Sequence, residues 1–338
     1  MKNSNILKCI ILSFACLERC NAFAFAPIND ININRQSSHR LYMSNYDYSN
    51  LRVMVNGMPG PMATEAAEAC LRKGLKLAPV AMTGPDMEPM TIQVVDTDTS
   101  RSANVRLIPS SDMLEVECAL EGLRAGVGPD GQVIAIDYTH PSAVNTNGKW
   151  YAEQQLPFVM GTTGGDREQL TADVEAQGLA AVIAPNMGKQ IVAMQAALQG
   201  LAKEYPMAFS GYKLKVTESH QKTKADTSGT AKAVIGSLLD LSGDDFDAES
   251  DINMLRDDDS SKAFGVSEDA MNGHAFHTYT LTSADGSVEF ELKHNVSGRR
   301  IYAEGTADAV MYLSRVLTSG GEKKIYTMIN VLEKGALE

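Results

Sequence analysis

Cysteine is scarce in this sequence and follows no recognisable pattern. Three of the five cysteines lie within the first 20 residues. The other two, Cys70 and Cys118, have neither a C-x-x-C partner nor the spacing of a metal site, which excludes a zinc module and a dithiol redox centre. Both lie in segments with helical periodicity, and we expect them to be reduced residues of the core.

Positive charge is also in short supply. The chain has 30 lysines and arginines against 42 acidic residues, which gives a net charge of −12. Nucleic-acid-binding proteins usually present a basic surface, so this balance argues against that class. No apolar run reaches the roughly 18 residues that a transmembrane helix needs. We therefore expect the mature protein to bind neither nucleic acid nor a membrane.

Residues 1–45 are expected to be a disordered targeting leader rather than part of the fold. A short apolar run at residues 9–17 is preceded by two lysines and followed by small residues, as in a secretory signal. Residues 28–44 contain arginine, serine and asparagine but only one acid, Asp30, as organelle transit peptides do. Residues 21–27 look like the cleavage site of bipartite leaders that target plastids of secondary endosymbiotic origin. The prediction is import into the plastid (chloroplast) stroma, with a plain secretory signal as the alternative.

The globular part begins near Leu51 with a strand–turn–helix–strand unit. Residues 51–56 are apolar enough for a buried strand, and a second strand is predicted at residues 76–82. In the turn, Gly57 and Gly60 permit close approach of the backbone, and the following helix N-terminus suits a pyrophosphate. This order is typical of the first βαβ unit of a dinucleotide-binding fold.

Further βα units continue the pattern. Strands are predicted at residues 132–137, 157–160 and 180–184, and helices at residues 143–155 and 166–177. In a parallel sheet, the loops at the carboxyl ends of the strands form the ligand crevice. Two such loops, Tyr138-Thr139 and residues 161–164, offer backbone and hydroxyl groups to a flat nicotinamide and its ribose. For the second loop, an ordinary glycine turn is the alternative.

The pattern changes after Pro185. The predicted elements of this half are helices at residues 188–204, 231–241 and 306–317, and strands at residues 212–217, 275–282, 288–295 and 300–304. Helices beside a mixed or antiparallel sheet make a second, α+β domain. The acidic stretch at residues 243–259 is expected to be solvated surface.

A hydroxyl-rich and basic turn at residues 218–231 is the strongest functional candidate. Ser228 or Thr227 is a good N-cap for the helix that follows, and such a helix start binds carboxylate or phosphate. His220 can exchange a proton near neutral pH, and Lys224 on the same loop can face the same anion. The alternative is a capped helix after an exposed polar loop.

Three histidines of the second half, His274, His277 and His294, raise the question of a metal. The sequence places no cysteine and no closing carboxylate beside them. A zinc site needs such a ligand set, so we expect no metal.

Three motifs together carry a family resemblance. Residues 55–62, 158–164 and 218–231, in this order and spacing, resemble the dihydrodipicolinate reductases, also called 4-hydroxy-tetrahydrodipicolinate reductases. The likeness extends from about Leu51 to the C-terminus. It is greatest to the plant-type branch, in which His220-Gln221 replaces the His-His pair of bacterial members.

The resemblance implies an α/β protein of two domains. Residues 51–185 and 305–338 form a Rossmann-type dinucleotide-binding domain, and residues 186–304 form an inserted domain for substrate binding and oligomerisation. The implied reaction is the NAD(P)H-dependent reduction of 4-hydroxy-tetrahydrodipicolinate to tetrahydrodipicolinate, in the diaminopimelate route to lysine. The implied partners are a small dicarboxylate and further copies of the chain, as a dimer or a tetramer.

The resemblance also assigns roles to individual residues. His220 matches the proposed acid of the family, and Lys224 the lysine beside it. The implied substrate-binding residues are Gln221, Ser228, Gly229 and Thr230. The implied cofactor-binding residues are Asn56, Gly57, Pro59, Gly60, Pro61, Met62, Thr83, Tyr138, Thr139, Gly161, Thr162, Thr163, Asn186 and Met187.

Three departures from the family pattern concern binding. Gln221 can bind substrate but cannot titrate as the second bacterial histidine does. Pro61 stands where many members carry a basic residue, and Ala63 where many carry glycine. Pro61 removes a phosphate contact and Ala63 adds a methyl group at a close helix–strand contact, so both bear on cofactor affinity more than on catalysis.

The end of the second predicted strand bears on cofactor choice. Residues 80–84 contain no acid, which would hold the ribose 2′-hydroxyl of NADH and repel the 2′-phosphate of NADPH. Thr83 is placed to donate to that phosphate. We therefore expect NADPH to be preferred and NADH to be usable.

Two other functions remain open. Pro61 and Ala63 motivate a non-catalytic, nucleotide-sensing protein on the same scaffold, against which the His220/Lys224 pair argues. The other is a different two-domain dehydrogenase of an amino-acid pathway. One acting on aspartate semialdehyde needs a catalytic cysteine in a cleft loop, and neither Cys70 nor Cys118 is so placed.

Overall fold

The first strand, Leu51–Asn56, forms because the apolar side chains on both of its faces are buried, as in a central strand of a parallel sheet. The computed structural model describes residues 46–224, 226–321 and 324–333. The predicted leader at residues 1–45 lies outside the described residues. From Asp47 onward the chain forms one compact unit.

In chain order, the strands are β1 Leu51–Asn56, β2 Lys76–Leu77, β3 Val80–Thr83, β4 Met90–Asp96, β5 Arg101–Pro109, β6 Gln132–Asp137, β7 Phe158–Met160, β8 Ala181–Ile183, β9 Lys213–His220, β10 Asn253–Leu255, β11 His274–Thr282, β12 Glu289–Ser297 and β13 Ile325–Tyr326. The helices are α1 Pro61–Arg72, α2 Met113–Val127, α3 Val144–Glu153, α4 Arg167–Ala176, α5 Lys189–Glu204, α6 Gly229–Ser242, α7 Asp258–Ala263, α8 Arg300–Ser319 and α9 Met328–Glu333. Short 3-10 turns lie at Pro141–Ala143 and Glu268–Ala270.

The main sheet has six parallel strands in the order β13-β8-β7-β6-β1-β2. Alternate residues of its strands enter two separate cores. Val53 and Val55 pack with α1 and α8 on one face, whereas Met54 packs with α2, α3 and α4 on the other. Helices on both faces of a parallel sheet confirm the predicted Rossmann-type architecture.

A small three-stranded sheet, β3-β5-β4, was not predicted. The single strand predicted at residues 76–82 is in fact two strands, separated at Pro79. Ala78 still donates its N–H to Val53 of the main sheet, but proline has no N–H to continue that ladder. Beyond Pro79 the chain turns to pair with β5, which forms an antiparallel pair with β4.

The second sheet is mixed, as predicted. Its order is β10-β9-β11-β12, with a parallel β10–β9 pair and two antiparallel pairs. Helices α5 and α6 pack on it through a core that includes Leu214, Tyr279 and Val234. The acidic stretch at residues 243–259 is only partly solvated surface, because it contains the buried Ile252 and strand β10.

The strand predicted at residues 300–304 is wrong. These residues form the first turn of α8, whose buried positions Ala303, Ala307 and Val310 follow the spacing of a helix. Glu304 also forms an ion pair with Arg72, so the start of α8 contacts α1, a helix that packs on the main sheet. The sequence hid this because Ile301 and Tyr302 favour strands when read locally.

The two cysteines of the described residues are free, and their environments differ. Cys70 is buried in α1, as expected, but Cys118 is exposed on α2, so its predicted place in the core is wrong. Among the described residues, no helix combines the length and apolar character needed to cross a bilayer.

Candidate active site

The turn after β1 is shaped by two glycines. Gly57 has a φ of +101°, and a Cβ there would collide with the backbone of Tyr138. Gly60 donates its N–H to the Gly57 carbonyl at 2.9 Å, and a Cβ on it would lie 2.7 Å from that oxygen. Exposed Pro59 and Pro61 and half-buried Met62 complete this turn at the start of α1. The predicted glycine turn is therefore present and leads directly into the N-terminus of α1.

Asn56 and Thr83 are buried beside this turn, and their side chains form hydrogen bonds within the protein. Asn56 is fully buried, accepting from the Met82 N–H at 2.8 Å and donating to the Tyr151 hydroxyl at 2.9 Å. The buried Thr83 hydroxyl donates its one proton to the Met58 carbonyl at 2.6 Å. Thr83 thus has no free proton for a ribose phosphate, which contradicts its predicted role as a donor to NADPH. Both residues hold the turn rather than face a ligand.

Asp137, at the end of β6, organises the neighbouring loops. Its buried carboxylate accepts hydrogen bonds from the Thr139 N–H and hydroxyl at 3.0 and 2.8 Å, and from the Thr162 hydroxyl at 2.9 Å. Asn147 and Tyr151 donate to its other oxygen at 3.0 and 2.7 Å. The two predicted nicotinamide loops are therefore fixed to one anionic group. The role of Asp137 was not predicted from the sequence, although an acid that ends a buried strand is a visible signal.

The side chain of Tyr138 lies against Gly161 of the other loop and reaches Thr306 of α8. Its hydroxyl lies 2.6 Å from the Thr306 hydroxyl, which in turn donates to the Tyr302 carbonyl at 2.8 Å. Burial raises the pKa of Tyr138, so the phenol stays protonated. A Cβ on Gly161 would collide with the Tyr138 ring, so only glycine fits there. Thr163, two residues on, is exposed.

A hydrogen bond links the loop after β8, at the carboxyl end of the main sheet, to the hydroxyl-rich turn at residues 218–231. Asn186, three residues beyond β8, donates from Nδ2 to the Thr230 hydroxyl at 3.0 Å and accepts from the Gly188 N–H at 2.8 Å. Its neighbour Met187 is buried. A residue predicted to bind cofactor and one predicted to bind substrate thus lie in direct contact.

The N-terminus of α6 has the expected cap. Ser228 is the N-cap, and its hydroxyl accepts from the Ala231 N–H at 3.5 Å. Gly229 is exposed, with open space where a Cβ would lie. The first N–H groups of this helix can therefore meet a carboxylate.

His220 is the last residue of β9, not a loop residue as predicted. It is buried, and its Nε2 lies 3.3 Å from Nε2 of His277 on β11. Burial and the neighbouring His277 lower the pKa of His220, although Glu218 acts in the opposite direction. The ring alone is therefore neutral at pH 7, and a bound dianion would favour its protonated form.

Glu218 lies two residues before His220, on the same face of β9, and is fully buried. Its Oε2 accepts from the Ser228 N–H at 3.3 Å and lies 3.5 Å from His277 Nε2, while its Oε1 pairs with Arg256. Burial opposes ionisation, but the hydrogen bonds from His277 and Arg256 outweigh it and lower the pKa of Glu218. A buried carboxylate thus connects the helix cap to the two histidines.

The ligand atoms of Glu218, His220 and His277 all lie within 4.8 Å of one another. This is the residue set of a two-histidine, one-carboxylate metal site. The prediction that no carboxylate lies beside these histidines is wrong, because strand pairing brings Glu218 opposite His277. The Arg256 guanidinium already supplies Glu218 with a cationic partner, which favours proton exchange over cation binding at this cluster.

The two lysines of the loop differ in exposure. The Lys224 side chain is 26% exposed and contacts Asp226 at 3.0 Å, whereas Lys222 is 63% exposed and contacts Asp258 at 2.9 Å. Gln221 lines a cavity of about 610 Å³ beside Lys222, and neither His220 nor Lys224 lines it. Gln221 therefore faces a cavity that Lys224 does not line, whereas burial and, to a lesser extent, the charge of Lys224 contribute to the lowered pKa of His220.

Three buried or half-buried histidines make stability depend on pH. Burial is the first cause of a lowered pKa in His220, His274 and His294, and for His294 the value is about 4. An unfolded histidine titrates near 6.5, so the unfolded state gains protons first as the pH falls. The stability that these residues contribute is present above about pH 6.5 and is lost below it.

We therefore expect the free energy of unfolding to fall between about pH 7.5 and pH 5, measured by urea denaturation. His294→Gln should remove roughly 2 kcal/mol of that loss. Glu218 does not confuse the measurement, because its lowered pKa affects stability only below the usual range of a glutamate. An unchanged pH dependence in His294→Gln would contradict the burial of this ring as a neutral group.

Known proteins resemble this chain over most of its length. Residues 51–187 match the family model described as dihydrodipicolinate reductase, N-terminus, and residues 191–332 match the model of its C-terminus. The probable 4-hydroxy-tetrahydrodipicolinate reductase 1, chloroplastic, of Oryza sativa is 45% identical over 84% of this chain and 79% of its own length. The 4-hydroxy-tetrahydrodipicolinate reductase 2, chloroplastic, of Arabidopsis thaliana is 42% identical over 84% of this chain and 78% of its own length.

A solved structure shows the same fold at lower identity. The dipicolinate-bound dihydrodipicolinate reductase from Paenisporosarcina sp. TG-14 aligns with a TM-score of 0.51 and 19% identity, over 82% of this chain and 97% of that one. Two family models together cover most of the chain, and plant relatives exceed 40% identity over most of its length. The chain therefore belongs to the dihydrodipicolinate reductase family.

Proposed function

We propose that this protein reduces 4-hydroxy-tetrahydrodipicolinate to tetrahydrodipicolinate with a reduced nicotinamide cofactor. Family membership supports the reaction. The observation that carries it to particular residues is the Asn186–Thr230 hydrogen bond, which joins the crevice of the main sheet to the turn that starts α6. A hydride donor in the crevice and an anion on the turn would then be neighbours.

The cofactor would be held by the glycine turn, by α1 and by the loops anchored on Asp137. The residues fit the group, because the Gly57–Gly60 turn leads directly into the N-terminus of α1, where backbone N–H groups favour a phosphate. When bound, the nicotinamide supplies the hydride. The protein's contribution is to hold the Thr139 and Thr162 loops rigid and to keep the site free of bulk.

The substrate's carboxylates would be bound by the α6 N-terminus and by Lys224. Lys224 contacts Asp226, so binding requires its ammonium group to exchange that partner for a substrate carboxylate. The dianion would also raise the proton affinity of His220, which lies at the end of β9 within the same region. The 4-hydroxyl group of the substrate must leave as water, which gives the unsaturated ring that accepts the hydride. His220 would then deliver a proton to this ring as negative charge develops there.

The two-domain division follows from this scheme. Residues 51–185 and the C-terminal part would bind the cofactor, and the segment from residue 186 would bind substrate. The chain was expected to return to the cofactor domain between residues 304 and 305. Helix α8 begins at Arg300, so the start of that helix is a better boundary. Val288, just before the edge strand β12, and Phe290, within it, are exposed. These apolar side chains support self-association of the substrate domain as a dimer or a tetramer. Light scattering would test this.

We also propose import into plastids through the leader. The rice and Arabidopsis relatives are chloroplastic by name. A fluorescent fusion to residues 1–45 should enter the plastid, and retention in the secretory pathway would favour a plain signal peptide.

The direct test is oxidation of reduced nicotinamide with enzymatically generated substrate. We expect activity with both cofactors and a preference for NADPH in kcat/KM of no more than about tenfold, roughly 1.4 kcal/mol. The preference is modest because Thr83 donates to Met58, which leaves only the absence of an acid at residues 80–84 to favour the phosphate. No oxidation with either cofactor would refute the reaction, and a clear preference for NADH would refute only the cofactor choice.

A further inference from the structure

Arg256 lies in the acidic stretch, yet it is directed into the candidate site. Strand β10 pairs in parallel with β9, with Met254 opposite Glu218 and Leu255 opposite Ser219. This register places the next residue, Arg256, beside the end of β9, where the loop that carries Lys224 begins. Its side chain is only 19% exposed.

The Arg256 guanidinium holds three parts of the site at once. Its Nε donates to the Lys224 carbonyl at 2.7 Å, and its Nη2 donates to the Glu218 carboxylate. The same Nη2 lies 3.4 Å from the Asp226 carbonyl, and Nη1 donates to its own strand at the Leu255 carbonyl at 3.2 Å. The Arg256 side chain therefore links strand β9, the loop that carries Lys224 and strand β10.

We propose that Arg256 is a positioning residue for Lys224. It fixes the backbone of the loop at Lys224 and Asp226 against the buried carboxylate of Glu218, and thereby directs the Lys224 ammonium group to the place where a substrate carboxylate binds. The inference rests on the proposed function, because it concerns the role of Lys224 in that site.

The chemistry of the side chain makes it hard to replace. A guanidinium is planar and offers five N–H donors in fixed directions, which match a carboxylate and three carbonyl groups together. Lysine would keep the charge beside Glu218 but could not reach all four acceptors. Alanine would also leave a fully buried carboxylate without its cation, which is costly.

The linkage extends to the helix cap. Glu218 accepts from the Ser228 N–H, so Arg256, Glu218 and Ser228 form one chain of contacts from the loop to the start of α6. The two proposed carboxylate-binding elements, Lys224 and the α6 N-terminus, thus share a single anchor. Loss of Arg256 should disturb both without touching the nucleotide-binding loops.

The test uses Arg256→Ala and Arg256→Lys in the full chain. Arg106→Ala is the control, because Arg106 forms an exposed pair with Glu115 away from the site. In Arg256→Ala we expect kcat/KM for the substrate to fall by about 10²-fold, the scale of a small displacement of a binding group. Dipicolinate should bind more weakly, whereas the Kd of NADPH should stay within about twofold of wild type.

Chemical rescue separates positioning from general damage. Millimolar guanidinium should restore kcat/KM of Arg256→Ala at least several-fold and leave wild type and Arg106→Ala unchanged. Arg256→Lys keeps a charge beside Glu218, so it should fold and still lose activity. Wild-type kcat/KM in Arg256→Ala would overturn the proposal, as would parallel losses of NADPH binding and stability without rescue.

Hydrogen exchange keeps this test independent of the reaction. Amides of residues 222–224 and 226–228 should exchange faster in Arg256→Ala than in wild type, and those of the Thr139 and Thr162 loops should not. An inactive wild-type protein would refute the proposed reaction alone. Unchanged exchange in the Lys224 loop would refute the positioning role alone.

Discussion

Replacement of His220 by alanine is expected to lower kcat by about 10²- to 10⁴-fold, the usual contribution of general acid catalysis. KM for the dicarboxylate should change little, because Lys224 and the α6 N-terminus remain to bind it. Steady-state kinetics at saturating NADPH measure both parameters. The structure gives the physical reason: the buried His220 ring ends β9 beside Glu218 and His277, at the site where the substrate would bind.

His294→Gln is the matched control for this variant. His294 lies on the same sheet as His220 and stacks on His277, with ring centroids 4.6 Å apart. The close contact with His220, between the two Nε2 atoms, is made by His277. Its replacement should leave kcat near the wild-type value at neutral pH. If both variants lost activity equally, the sheet as a whole, and not a proton donor at residue 220, would explain the loss.

The elements that could be predicted from the sequence are those specified by local patterns. The apolar run that ends at Asp137 and the serine that caps α6 each depend on a few adjacent residues, and the structure confirms both. The same holds for Gly57, whose positive φ is a property of one position. These features needed no knowledge of distant partners.

The features that were missed depend on pairing between distant segments. Arg256 reaches the site only because β10 pairs with β9, and nothing in an acidic stretch indicates that register. His277 lies beside Glu218 because β11 is antiparallel to β9, which supplied the carboxylate that the sequence seemed to lack. The start of α8 was mistaken because burial of Ala303, Ala307 and Val310 along one helix face outweighs the local preference of Ile301 and Tyr302.

The role of Thr83 was wrong for a different reason. Its position at the end of a strand was predicted, but the direction of its hydroxyl was not. Its proton satisfies the buried Met58 carbonyl, because a carbonyl left without a donor is costly. Position in the chain thus predicted where Thr83 lies, and internal hydrogen bonding decided which way its hydroxyl points.

Replacement of Lys224 by alanine is expected to raise KM for the dicarboxylate and also to lower kcat, each by about tenfold or more. An anchor for a carboxylate acts on the ground state and raises KM when it is lost. A cation that also faces the charge developing on the ring stabilises the transition state, so its loss lowers kcat. The half-buried position of Lys224 strengthens both effects, because partial exclusion of water weakens screening.

Lys222→Ala is the control, two residues away on the same loop. Lys222 is 63% exposed and pairs with Asp258 at the surface, where such pairs contribute little. Its loss should leave kcat and KM nearly unchanged, and NADPH binding should survive in both lysine variants. Asp226→Asn adds a second check, since it frees the Lys224 ammonium group from its partner and should not raise KM. A crippled Lys222→Ala enzyme beside a mild Lys224→Ala enzyme would show that the loop presents the other lysine to the substrate.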